Sequence, residues 1–149
     1  MSASPQHMAR QWMRKAENDL KIGQDELQTR EPVTDMVCYH MQQCVEKYLK
    51  AYLVLHEKPF RRTHDLAELI ELCRELDPSF EQFYAQNVDS LTVYGTEVRY
   101  PDNFYMPSLE EAEESLRLAL LAREFVRARL KERGVVDSCP TTSSTTATT

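Results

Sequence analysis

Residue types suited to holding phosphate collect in two parts of this 149-residue chain. One is the stretch Val98 to Pro107, "VRYPDNFYMP". Arg99 offers a bidentate fork that matches a phosphate, and Tyr100 offers a ring face on which a nucleobase stacks. The alternatives are structural: an Arg99 ion pair with Asp102 or a helix residue, and packing of Tyr100, Phe104 and Tyr105 onto the body of the protein. Pro101 and Pro107 stiffen the segment in either case.

The other part begins at Gln43, Lys47 and Lys50, spaced i, i+4 and i+7, which places them on one polar stripe of a helix. Such a stripe makes a basic wall. Glu46 and Lys50 are also spaced for an ion pair on a solvated face. Lys58, Arg61 and Arg62 lead up to His64, a cluster that attracts phosphate or keeps a loop soluble. His64 stands beside Asp65, where a histidine either hydrogen-bonds structurally or takes part in proton transfer. If these features converge, Lys47, Lys50, His64 and Arg99 line one anion pocket held by side chains, since no glycine-rich phosphate loop is present.

Composition narrows the classes. Hydrophobic content of 42%, charged content of 28% and only 3 glycines describe a helix-rich globular domain. No apolar run approaches the roughly 18 residues of a membrane span, and "MSASPQHMARQW" lacks a signal-peptide core, so the expectation is a cytoplasmic protein without membrane contact. The net charge of −6 argues against coating nucleic acid through bulk electrostatics. Cys38, Cys44, Cys73 and Cys139 form no CxxC and have no histidine at zinc-site spacing. They read as free, mostly buried thiols, with no metal and no cofactor implied.

The elements that position these residues are helical. Met8, Trp12, Ala16 and Leu20, with Met13 and Leu27 alongside, recur at i, i+4 from about Pro5 to Gln28, weakened at Gly23. From about Thr34 to Glu57, Val37, Met41, Cys44, Val45, Tyr48, Leu49, Tyr52 and Leu53 form a broad stripe, worth on the order of 10–20 kcal/mol of gross burial before chain entropy is subtracted. Asp65 caps a third helix, with Glu68 completing a variant capping box. A shorter helix with Phe80, Phe83, Tyr84 and Val88 runs to about Ser90. Ser108 and Glu111 form a capping box for a last helix that ends near Gly134 and carries Ala112, Leu116, Ala119, Leu120, Arg123, Val126 and Leu130 on its inner period. Thr92 to Pro107 is about twice the usual helix connection of 2–8 residues. The expectation is one all-α domain over 1–136, an up-and-down bundle of four to five helices, and a disordered Ser/Thr-rich tail over 137–149.

The tryptophan-led "WMRKAENDL", then "QQCVEKYLKAYL", then "THDLAELI" and finally "RYPD" resemble, in this order, the HEPN domain family over about Met8 to Arg133. The resemblance implies a helical bundle that dimerises. It also implies one of two functions: a metal-independent ribonuclease, often a toxin, built on an Arg-x4-6-His motif, or a non-catalytic protein that binds nucleotides or partners a minimal nucleotidyltransferase.

Arg99 sits where the motif arginine belongs, but the histidine positions hold Phe104, Tyr105 and Met106, and no histidine follows Arg99. Taking a proton from a 2′-hydroxyl needs a group near pKa 7, which histidine supplies and an unshifted tyrosine near 10 does not. The expectation is therefore a non-catalytic homodimer in a toxin–antitoxin-like pair, binding a nucleotide or a nucleotidyltransferase through Gln43, Lys47, Lys50, His64, Arg99, Tyr100 and Asp102. The alternative is a divergent ribonuclease in which Arg99 works with Tyr105 or His64 on an RNA ligand.

Overall fold

The computed structural model describes residues 3–96 and 101–136. Arg99, Tyr100, Cys139 and the Ser/Thr tail lie outside them. The protein is all-α, with no strand among the described residues.

Helix α1 (Pro5–Leu27) begins where the Ser4 hydroxyl accepts the His7 amide at 3.0 Å, with Pro5 in the first turn, where a missing amide costs nothing. Its buried stripe is Ala9, Met13, Ala16, Leu20 and Gly23. Of the expected stripe, Ala16 and Leu20 are buried together with Met13, while its first two residues lie at the rim, Met8 at 40% exposure and Trp12 only partly buried. The reason is the small series Ala9, Ala16 and Gly23, which lets α1 close on the next helix. A Cβ at Gly23 would stand 2.2 Å from the Met41 methyl.

Helix α2 (Thr34–Leu55) runs through the centre, and all eight apolar residues of its expected stripe are buried. Helix α3 (Leu66–Leu76) is capped by Asp65, whose carboxylate accepts the Ala67 amide at 3.0 Å. Glu68 does not complete a capping box. Its carboxylate takes both arms of Arg61 at 2.7 Å, a charge-assisted bidentate pair that outcompetes a single neutral amide.

The expected single helix through Ser90 is broken. A 3-10 turn (Pro78–Phe80) leads into α4 (Glu81–Ala85), and a second 3-10 turn (Val88–Thr92) into α5 (Val93–Thr96). Asn87 at φ 64° interrupts them, a left-handed conformation that asparagine tolerates and that a right-handed helix cannot contain. Phe80 and Phe83 turn inward, edge-on to Phe125 at centroid distances of 4.9 and 5.0 Å.

Helix α6 (Leu109–Glu132) has the expected Ser108–Glu111 capping box, both arms formed. At its other end Gly134, φ +80°, allows the Val135 amide to reach the Leu130 carbonyl at 2.9 Å, a Schellman closure. The core lies where α1 and α6 pack on α2, with α3 covering the far side.

Candidate functional site

A helix with neighbours on both sides has little surface left for water, so polar residues on α2 must find partners within the protein. Gln42, Gln43, Glu46 and Lys50 are all buried and satisfy one another. Lys50 Nζ lies 2.8 Å from one Glu46 oxygen, and Gln42 Nε2 donates to the other at 3.2 Å and to the His64 carbonyl at 3.1 Å. Gln43 donates to Gln42 Oε1 at 2.7 Å.

The same Glu46 oxygen that Gln42 approaches lies 2.9 Å from Nδ1 of His64. The histidine side chain is 49% exposed and the carboxylate 3%. Nε2 of His64 has no hydrogen-bond partner among the described residues. Glu46, expected on a solvated face with Lys50, is thus a buried carboxylate orienting an accessible imidazole. Lys50 is further enclosed by rings, its Nζ lying 5.4 Å from the Trp12 centroid and 5.7 Å from that of Phe60.

The expected basic wall divides. Lys47 turns toward α1, where it meets buried Asp19 at 2.6 Å, and His40 Nδ1 shares that carboxylate at 2.8 Å. Neither lysine offers an uncompensated charge, because each already has a carboxylate that keeps it from being desolvated alone. Gln43, Lys50 and His64 come together, while Lys47 joins a separate knot. The basic cluster before His64 is also mostly spoken for: Lys58 pairs with Glu75 at 2.6 Å and Arg61 with Glu68, leaving exposed Arg62 with no ion pair among the described residues.

Arg99 and Tyr100 fall outside the described residues, while Thr92 and Gly95 are fixed against the site. Gly95 rests on Gln42 so closely that a Cβ there would stand 2.7 Å from the Gln42 amide carbon. The Thr92 hydroxyl accepts the Leu66 amide at 3.1 Å, joining this segment to the start of α3 just after His64.

On the other side of the loop, Glu111 accepts hydrogen bonds from Tyr105 and, at 2.8 Å, from Tyr94. The Tyr105 bond is the main cause holding Glu111 below the usual carboxylate range, and it pushes the Tyr105 phenol above its ordinary value near 10. That direction works against Tyr105 as a proton acceptor near neutral pH. Asp102 is exposed in a 3-10 turn (Pro101–Asn103), and Phe104 does not pack onto the bundle, standing 74% exposed.

No group of three or more metal-binding side chains occurs among the described residues. Cys38, Cys44 and Cys73 are free and buried, and burial pushes the Cys38 thiol up to about 11, which makes it a poor nucleophile. No helix of the described residues is long and apolar enough to cross a membrane.

Residues 9–132 match the family model described as HEPN domain. The chain belongs to the HEPN domain family. It is similar to a Methanocaldococcus jannaschii protein named "Putative toxin MJ1304", 30% identical over 139 residues that cover 84% of this chain and 90% of that one. The crystal structure of ST0689, described as an archaeal HEPN homologue, matches with a TM-score of 0.61 at 22% identity, over 82% of this chain and 97% of the other. That likeness supports the HEPN fold.

Two features of this HEPN site have no signal in spacing alone. Glu46 reads as half of a solvated ion pair, and Gln42 carries no reading of its own, until His64 and Gly95 close over them. The Asp19–His40 pair joins residues 21 positions apart that no motif connects.

Proposed function

We propose that this chain is a toxin-like HEPN protein that cleaves RNA without a metal, with His64 as the proton-transfer residue. The observation that carries the reading is the buried Glu46 carboxylate at 2.9 Å from Nδ1 of the half-exposed His64. A carboxylate there fixes the tautomer that leaves Nε2 free to accept a proton. His64 takes the 2′-hydroxyl proton, the 2′-oxygen bonds to phosphorus, and the 5′-oxygen leaves and is protonated from water. Arg99 is assigned to the charge developing on the phosphate oxygens. The toxin name of the relative at 30% identity points the same way.

The test is incubation of purified protein with single-stranded and structured RNA in the presence of EDTA. Cleavage leaving 2′,3′-cyclic phosphate and 5′-hydroxyl ends, lost in His64→Ala, is expected. Intact RNA across pH 5 to 9 would overturn the reading.

A second reading, non-catalytic and directed at a protein partner such as a nucleotidyltransferase or a second copy of the chain, is favoured by a different surface. Phe104, Tyr105, Met106 and Leu109 are exposed by 74, 49, 49 and 48%, an apolar group that folding alone does not cover. Sedimentation above the 17.4 kDa monomer mass, abolished by Phe104→Ser, would support self-association there.

A further inference from the structure

The small inner face of α1 formed by Ala9, Ala16 and Gly23 leaves Trp12 and Met8 at the edge of the bundle. There they line a shallow concavity of about 640 Å³ with Gln11, Arg14, Lys15 and Asn18. Its charge is unlike that of the rest of the protein. From Pro5 to Ala16 the chain carries Arg10, Arg14 and Lys15 and no acid, against a net −6 overall. None of the three has an ion pair among the described residues, whereas Lys47, Lys50, Lys58, Arg61, Arg74, Arg117, Arg123 and Arg129 all do.

The concavity also borders the His64 face. Trp12 lies over Lys50 Nζ at 5.4 Å, Lys50 holds one Glu46 oxygen, and His64 holds the other. Indole and imidazole are therefore joined by three contacts in series through a single carboxylate.

From these relations we infer that Trp12 is a base-stacking platform for single-stranded RNA, with Arg14 and Lys15 on the adjoining phosphates. This inference rests on the reading of the His64 face as an RNA site. Unpaired cations supply the attraction to the backbone, and the partly buried indole, which has Lys50 over its ring and lines the concavity with Gln11 and Asn18, supplies a ring face for stacking without sequence preference. A duplex, with its bases already stacked, has nothing to place on the indole. The platform selects single strands.

The chain has one tryptophan, so its intrinsic fluorescence reports this contact directly. The probe is a 2′-O-methyl oligouridylate, which cannot be cleaved because its 2′-oxygen carries no proton. Saturable quenching of Trp12 fluorescence is expected, and it should persist in His64→Ala. Binding of the fluorescein-labelled oligonucleotide, followed by anisotropy, should weaken roughly 5- to 100-fold in Trp12→Leu and much less in Trp12→Phe. The Arg14→Ala/Lys15→Ala protein retains Trp12 and alters two exposed positions, so it tests the face even if Trp12→Leu fails to fold. Its log–log salt slope should fall by about 1.4, two phosphate contacts at about 0.7 each.

Unchanged fluorescence while anisotropy shows the strand bound would overturn the inference. So would equal binding of duplex RNA, or equal quenching by polyglutamate, which would assign the face to an acidic protein. Quenching without cleavage of ordinary RNA would remove the ribonuclease reading and leave the platform standing. Cleavage without quenching would do the reverse.

Discussion

His64 and Glu46, 18 residues apart, meet with Nδ1 at 2.9 Å from a carboxylate oxygen that is itself almost fully enclosed. The pair is asymmetric: Glu46 is held in place by Lys50 and Gln42 as well, while among the described residues the imidazole is anchored on one side only. An orienting group that is rigid and an oriented group that is accessible are the conditions for proton transfer at a surface.

His64→Ala is expected to lower RNA cleavage by roughly 10²- to 10⁴-fold with little change in melting temperature, since the side chain is half exposed. Glu46→Ala removes the charge that Lys50 is buried against, and is expected to cost about 3–5 kcal/mol. Thermal unfolding and single-turnover cleavage of the two variants separate these effects. Equal losses of stability would mean that His64 is merely structural.

Glu17 is a structural hub of the same kind. It accepts the Tyr48 hydroxyl and pairs with Arg123 at 2.7 Å, tying α1 to α2 and α6, and the hydrogen bond to Glu17 is the leading cause raising the Arg123 pKa. Glu17→Ala is expected to cost roughly 2–3 kcal/mol, because it strands a buried phenol and a partly buried guanidinium. A double-mutant cycle with Arg123→Ala, read by urea denaturation, should show coupling well above that of an exposed pair.

At the start of α6, Glu111 is held below its ordinary pKa of 4.5, chiefly by the Tyr105 hydroxyl. Its stabilising contribution is then fully present above the unfolded value and is lost as pH falls through the depressed folded value. Glu111→Gln keeps a hydrogen-bonding side chain without the titration, so its stability should fall less steeply than wild type below pH 4.5. Parallel curves of unfolding free energy against pH would contradict this assignment.

The helix-helix approach at Gly23 gives a packing prediction. In Gly23→Ala, better helix propensity opposes a methyl placed 2.2 Å from the end of the Met41 side chain. Met41 is fully buried and has little room to move, so net destabilisation of about 1–3 kcal/mol is expected. Pairing it with Met41→Leu should recover part of that loss by removing the methyl it meets.

The apolar stripe of α2, the capping box at Ser108 and Glu111 and the glycine stop at Gly134 were all legible in the sequence. Each is a local rule, satisfied by residues within a few positions of one another. The rim position of Met8 and Trp12 at the start of α1 was not legible. Met8 and Trp12 have the stronger hydrophobic signal, and only the presence of α2 makes the smaller Ala9 and Gly23, in line with the expected Ala16, the better inner face, because a closer approach buries more than a larger side chain would.

The candidate site divides in the same way. Its residue types, among them Gln43, Lys50 and His64, could be named from spacing and chemistry, since a helical stripe and a histidine beside a helix cap are written into the chain. Their electrostatic state was decided only by tertiary structure. Once Trp12 of α1 and Phe60 and His64 of the α2–α3 connection lie against the flank of α2, Glu46 and Lys50 leave water together. The charge that had looked like an open basic wall is then neutralised from within, and His64 is left with its ring toward solvent.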